Sequence, residues 1–295
     1  MSKILNLGSM IIDNVYSVDH IVRPGETLMS KSLEIFTGGK GLNQSVAIAR
    51  GGCEVFHAGK CGPDGEFMVR AMEKSGVRIE YMMRSQNRTG SAFLQVEASG
   101  QNCIVLYGGA NREITEEEID SVLSHFEAGD ILISQNEISC VPYLLKRGRE
   151  KGMRIALNPS PIDSVIASQP LDGITWIFIN EIEGKELSGK TEPRDICNTL
   201  LSRYPNLKII LTLGGDGAMY RDSDCEYTHP IYNVPVVDTT AAGDTFMGYF
   251  LSTLQRTGSV PEALKTASKA SSIAVSRKGA TPSIPTLAEI ESWKF

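Results

Sequence analysis

The sequence predicts an α/β fold: a three-layer body whose mostly parallel sheet lies between helices, carrying a small antiparallel β lid. Three observations carry this. Short apolar runs alternate with helix-period segments over most of the chain, the β-α-β rhythm of a parallel sheet covered on both faces. Two segments, 13–37 and 90–108, break that rhythm with strand-type alternation, turn punctuation and no helix between. The composition, 41% hydrophobic and 22% charged over 295 residues, is that of a globular chain able to bury its own core. The chain then divides into a body of residues 1–12, 38–89 and 109–295 and a lid of 13–37 and 90–108.

The elements follow in order. KILNLGS (3–9) reads as a buried strand ending in a turn. GLNQSVAIARGG (41–52) places Val46, Ala49 and Arg50 at helical spacing and stops at two glycines. EVFHAGKCG (54–62) is strand-like, and GEFMVRAMEKSGV (65–77) is a helix closed by glycine. DILISQNE (130–137), RIALNPS (154–160), WIFINE (176–181) and KIILTLGG (208–215) are strands, with helical patterns between them. In such sheets ligands bind beyond the C-terminal ends of the strands. Glu137, Asn158, Asn180 and Gly214, which end these runs, mark the place to look.

Composition excludes several classes. The formal charge is −6 and no stretch is a basic block, so there is no nucleic-acid footprint. The six cysteines form no C-x-x-C pair and no zinc spacing with the four histidines. Unpaired cysteines suit a reducing compartment, and MSKILNLGS is too quickly polar for a signal peptide. No apolar run approaches the ~20 residues of a membrane span. A cytoplasmic protein is expected.

The chemistry concentrates in VVDTTAAGDTFMGYF (236–250). A helix N-terminus presents unpaired N–H groups and partial positive charge. Small residues leave those groups uncovered, so TAAGD builds an anion pocket with Asp244 at its edge. An aspartate there can be a simple cap, but a cap needs no Ala-Ala-Gly before it. A carboxylate beside an anion pocket suits proton removal from a hydroxyl while the pocket stabilises a transferred phosphoryl group. A second glycine cluster, FTGGKGLNQS (36–45), can bring backbone close to a ligand faced by Lys40 and Asn43, although taken alone such a string reads rather as a flexible turn. GKELSGKT (184–191) fits the P-loop pattern G-x-x-x-x-G-K-[ST]. Its context does not: NEIE separates the strand from Gly184. Residues 181–188 read better as a short helix with Ile182 and Leu187 inward, ending at Gly189 before a helix opened by Pro193.

In this order and over the whole length, GGKGLNQSVA, NPSP, NEIE, TLGGDG and DTTAAGDTF resemble the ribokinase-type sugar kinases, the phosphofructokinase-B family. VSRKGATPSIP (275–285) is similar to the ribokinase branch in particular. The resemblance implies an ATP-dependent kinase for the primary hydroxyl of a sugar, with Mg²⁺ and an activating K⁺. It implies that Asp244 is the catalytic base and that Ala241, Ala242 and Gly243 form the anion hole. Asp13, Gly39, Lys40, Asn43 and Glu137 match sugar-contacting positions. Asn180, Thr212, Gly214, Gly215, Gly217 and Ser268 match the nucleotide site. Glu183 completes the N-x-x-E motif that organises Mg²⁺ through water. Asp238, Thr240, Ala274, Arg277, Gly279 and Ser283 match a monovalent-cation loop. Lid sheets of this type also suggest a homodimer paired through the lid.

One position departs. GSMIID (8–13) carries Ile11 where ribokinases carry an asparagine, two residues before the sugar-binding Asp. Isoleucine makes no hydrogen bond, and a site lacking a polar partner rejects the ligand that needs it. The substrate is then ribose, if the loop shifts, or another furanose, a ketose, a deoxy sugar or a nucleoside. Two further alternatives are a P-loop NTPase dependent on Lys190 and a sugar-binding protein without turnover. The intact Asp244 and N-x-x-E oppose the second.

Overall fold

A computed structural model describes residues 2–99 and 101–294. Gly100, inside the 90–108 segment, and the terminal Met1 and Phe295 lie outside the described residues. The strands are β1 (Ile4–Leu7), β2 (Ile11–Val18), β3 (Ser32–Gly38), β4 (Phe56–Ala58), β5 (Lys60–Cys61), β6 (Met83–Arg84), β7 (Gly90–Glu97) and β8 (Asn102–Tyr107). They continue as β9 (Ile131–Gln135), β10 (Arg154–Asn158), β11 (Ile174–Asn180), β12 (Lys208–Thr212), β13 (Ala218–Arg221) and β14 (Glu226–His229). The helices are α1 (Lys40–Arg50), α2 (Glu66–Lys74), α3 (Glu116–Leu123), α4 (Val141–Glu150), α5 (Ser164–Ala167), α6 (Glu181–Ser188), α7 (Pro193–Arg203), α8 (Ala242–Thr257), α9 (Val260–Val275) and α10 (Leu287–Ser292).

The main sheet has the order β14-β13-β12-β11-β10-β9-β1-β4 and is parallel from β12 to β4. Period-2 alternation sorts its side chains into two cores. Ile4, Ile131, Ile133, Trp176, Phe178 and Ile210 face α1, α2, α8 and α9. Leu5, Leu132, Ile155, Ile177, Ile179 and Leu211 face α3, α4 and α7. Burial on both faces is why these runs are continuously apolar. β13 and β14 extend the sheet as antiparallel strands that the sequence pattern did not mark. EVFHAGKCG is split: β4 joins the main sheet, while β5 pairs with β6.

The second sheet has the order β3-β2-β7-β8. The expectation of an antiparallel lid needs correction at its centre. β2–β3 and β7–β8 are antiparallel, but β2 and β7 run parallel, with Ile11 beside Gly90. Both strands leave the body at the same place and run outward together. Buried Asn111 pins that point, donating Nδ2–H to Met10 O at 2.8 Å and accepting Met10 N–H at 3.0 Å. β8 is an edge strand, exposed along its whole length including Cys103.

Candidate active site

The site lies where α1 and α8 approach the C-terminal ends of the strands. GGKG is not a loose turn. Gly39 has φ +92°, and a Cβ there would lie 2.8 Å from the Ile11 nitrogen. At Gly41 it would lie 2.4 Å from the nitrogen of Ser9. Only glycine lets this turn press against residues 8–11 and open α1 beneath the lid.

Two cavities meet here. The first, about 450 Å³, is lined by Asp13, Gly39, Lys40, Asn43, Glu137, Asn158, Glu183, Thr240, Ala241 and Asp244 from the body, with Ala92, Leu94, Ile104 and Leu106 of the lid above. The second, about 530 Å³, is lined by Gly214, Gly215, Gly217 and Ser268, and by apolar Ile182, Ile231, Val236 and Val275. Asn180, Thr212, Thr239, Ala242, Gly243 and Phe246 line both. The start of α8 therefore lines both cavities, together with the ends of β11 and β12. Gly243 bears no side chain to fill that opening, and a Cβ there would meet no atom within 4 Å.

Ala241 caps α8 in the left-handed region at φ 60°, unusual for a residue with a Cβ. Ala242 N–H is taken by Thr239 O at 3.2 Å and Thr245 N–H by Ala241 O at 2.8 Å. The N–H groups of Gly243 and Asp244 keep no partner among the described residues and stand free for an anion. Asp244 is 8% exposed. Its Oδ2 accepts from Asn43 Nδ2 at 3.0 Å and its Oδ1 from Gln44 Nε2 at 2.9 Å.

The first cavity is acidic. Burial, reinforced by Glu137, Asp244 and Asp238, pushes the Asp13 carboxyl up to about 7. Burial also raises Glu137, against the pull of Lys40. Glu137 Oε2 accepts the Lys40 backbone N–H at 3.0 Å and the Ser9 hydroxyl at 2.5 Å. Burial acts to lower Lys40, but Asp244, Glu137 and Glu183 outweigh it and hold the ammonium above its ordinary value.

N-x-x-E is a reciprocal helix cap on α6. Glu183 N–H donates to Asn180 Oδ1 at 2.9 Å, and Asn180 N–H donates to Glu183 Oε2 at 3.0 Å. The residues matched to the cation loop are drawn together by Asp238. Its carboxylate accepts Thr240 N–H at 2.9 Å and Gly279 N–H at 2.9 Å, tying residues 238–240 to the 277–283 turn. Burial would raise Asp238, but the bonds from Thr240 and Gly279 hold it below the usual range. Arg277 N–H donates to Ala274 O, while its guanidinium turns away to Glu289 at 2.7 Å. Ser283 is fully buried, its hydroxyl on Ala280 O at 2.7 Å.

The P-loop pattern finds no such structure. Gly184 to Ser188 lie within α6, Gly189 is its left-handed C-cap, and Lys190 follows the helix, exposed, instead of opening one. Ile182 is not inward: it is 70% exposed and lines the second cavity. Capping by Asn180 and Glu183 sets the helix rotation, and buried Gly184, against Ile196, takes the inward face with half-buried Leu187. The sequence reading missed Ser9, Gln44 and Gln135. Polar residues inside otherwise apolar strands, such as Gln135 in ILISQ, were the signal.

The model of the pfkB family carbohydrate kinases matches residues 1–287. The chain is 33% identical to a ribokinase of Staphylococcus aureus, covering 98% of both chains. It is 28% identical to a deoxyribokinase of Salmonella typhi, covering 97% of both. Among solved structures, the ribokinase of Cryptococcus neoformans in complex with ADP superposes with a TM-score of 0.85 at 32% identity, covering 99% of both chains.

Proposed function

The chain belongs to the pfkB family of carbohydrate kinases and is an ATP-dependent sugar kinase; from that premise we propose how its residues divide the reaction. The sugar takes the first cavity and ATP the second. Asp244 is the general base. It removes the proton of the sugar's primary hydroxyl as that oxygen attacks the γ-phosphorus in line; the bond to the bridging oxygen breaks and ADP leaves. The free N–H groups of Gly243, which lines both cavities, and of Asp244, which lines the first beside it, receive the charge that develops on the phosphoryl oxygens. That placement carries the reading. Asp13, Lys40, Asn43 and Glu137, with the backbone at Gly39, hold the sugar; Asn180, Thr212, Gly214, Gly215, Gly217 and Ser268 hold the nucleotide.

Two ions fit the donor sets present. Glu183 spends one oxygen on the helix cap, so the rest of its carboxylate is left for waters of Mg²⁺, whose chemistry is to neutralise phosphate charge. Asp238, Thr240, Ala274, Arg277, Gly279 and Ser283 offer hard oxygens with a single carboxylate, a set suited to K⁺, which would add positive charge beside the anion pocket. Residues 13–37 and 90–108 act as a lid that excludes water. The bare edge of β8 suits pairing with a second copy of the lid.

A second reading of the substrate rests on Ile11. It is 8% exposed and lines the first cavity. An apolar group there favours a deoxy sugar or another furanose or ketose over ribose. The test is a panel of sugars and nucleosides scored by ADP release with ATP, Mg²⁺ and K⁺, for wild type and Asp244→Asn. Turnover on the best sugar falls at least ~100-fold in Asp244→Asn. Near-normal turnover in a folded variant reduces Asp244 to a cap.

A further inference from the structure

Asp244 is gripped from behind by a chain of buried carboxamides. Gln44 Nε2 donates to Asp244 Oδ1 at 2.9 Å, and Gln44 Oε1 accepts from Gln135 Nε2 at 2.7 Å. Gln135 Nε2 also donates to Asn6 Oδ1 at 3.0 Å, and Asn6 Nδ2 donates to Gly41 O at 2.8 Å and Ser45 Oγ at 3.0 Å. Asn6 and Gln135 are fully buried and Gln44 is 1% exposed. α8, α1, β9 and β1 each contribute one member.

An ionised carboxylate only accepts hydrogen bonds. Gln44 must therefore present its nitrogen to Asp244, which leaves its oxygen to Gln135. Gln135 must then present nitrogen, which leaves Asn6 to turn its oxygen inward. The charge at the head sets the direction of every bond, and reversing any amide would oppose like groups in a dry interior. The constraint also runs the other way: the chain fixes the plane of the carboxylate.

We propose that Gln44, backed by Gln135 and Asn6, is a positioning residue for phosphoryl transfer, holding Asp244 in the orientation that meets the sugar hydroxyl. This rests on the reading of Asp244 as the base. Simple attachment of α1 to the sheet does not require Gln44, because Asn6 already binds Gly41 O and Ser45 without it. Carboxamides hold a proton acceptor without conducting protons, so the proton taken by Asp244 leaves through the cavity.

The test uses the full chain with ATP, Mg²⁺ and its best sugar, comparing Gln44→Met, Gln44→Glu and Asp244→Asn. Gln44→Met lowers kcat about 10- to 100-fold while the sugar KM stays nearly unchanged, the signature of a misplaced catalytic group. Gln44→Glu keeps the shape and carries the test should Gln44→Met fail to fold. Its kcat rises as pH is lowered, because a protonated carboxyl donates as the amide does, whereas an ionised one opposes Asp244 with like charge. Wild-type kcat in either variant overturns the inference, as does a pH-independent loss in Gln44→Glu matched by a rise in KM. A collapse in Asp244→Asn beside a normal Gln44→Met removes this inference alone; near-normal Asp244→Asn removes the base itself.

Discussion

The two cavities share part of their lining but offer a ligand different chemistry. The first brings Asp13, Glu137, Glu183 and Asp244 around one ammonium, Lys40, and roofs them with apolar lid side chains. The second is built mainly from glycines, small hydroxyl residues and aliphatic side chains, with Asn180, Asn233, Tyr232 and Phe246 among them; among the described residues Glu181 is the one charged side chain on its wall. Placed side chains read a ligand by hydrogen bonds and tolerate little change. Backbone and aliphatic surface read shape, and a single substitution costs less. On the proposed assignment of sugar to the first cavity and ATP to the second, changes in the first should therefore act on the sugar steeply and leave ATP alone, while changes in the second should be shallow.

Among changes that bear on this contrast between the cavities, the largest is expected at Ile11. Ile11→Asn restores a donor and acceptor to a buried wall. One such bond is worth about 1–3 kcal/mol, or roughly fivefold to 150-fold. The variant gains kcat/KM for ribose relative to the best substrate of the panel, with the ATP KM unchanged. If wild type already prefers ribose and the variant matches it, residue 11 does not reach the sugar.

Next comes pH. Asp13, pushed up to about 7, is protonated in the free enzyme below that pH and ionised above it. If Asp13 holds the sugar as proposed, its ionised form is the better hydroxyl acceptor, so kcat/KM for the sugar climbs by up to about tenfold per unit as pH approaches 7, then levels. Asp13→Asn, measured on its own residual activity, loses that limb. The stability change has the opposite sign. The unfolded chain releases this proton near 3.8 and the folded chain only near 7, so Asp13 costs the ligand-free protein stability as pH rises through that window. Thermal melts from pH 4 to 8 for wild type and Asp13→Asn check it.

A smaller, several-fold effect belongs to the loop tied by Asp238. Replacing K⁺ with tetramethylammonium lowers kcat, and Asp238→Ala blunts the difference; equal rates in both salts remove the cation from the account. Smallest is Lys190→Ala, a surface change beyond the C-cap of α6, expected within about twofold of wild type. A collapse of activity in that folded variant would revive a phosphate-binding role for GKELSGKT.

What could be read from the chain follows the same division. β1 and β9 to β12 were legible because burial on both faces writes a continuous apolar run. The start of α8 was legible because few demands other than an open helix terminus ask for Ala-Ala-Gly before an acid. Ile182 was misplaced because helical spacing gives a face but not its rotation, which the Asn180–Glu183 cap decides. The parallel centre of the lid was hidden because period-2 alternation is the same in either direction. The amide chain was half visible. Asn6 lies two residues from Ile4, and Gln135 two from Ile133, which puts both polar groups on the strand face toward α1. That Gln44 joins them to Asp244 depends on two segments 200 residues apart.

The bare edge strand β8 also makes the molecule convenient to watch. Cys103 stands exposed on it, while Cys61 and Cys197 are buried and Cys53, Cys140 and Cys225 are partly covered. Burial raises the thiols of Cys53, Cys61, Cys197 and Cys225, which keeps them protonated and slow to alkylate. A fluorescent maleimide used sparingly should therefore mark the lid first, without any engineered cysteine. Its emission would follow the lid as sugar and nucleotide bind, and its quenching would register a second subunit laid along the same strand.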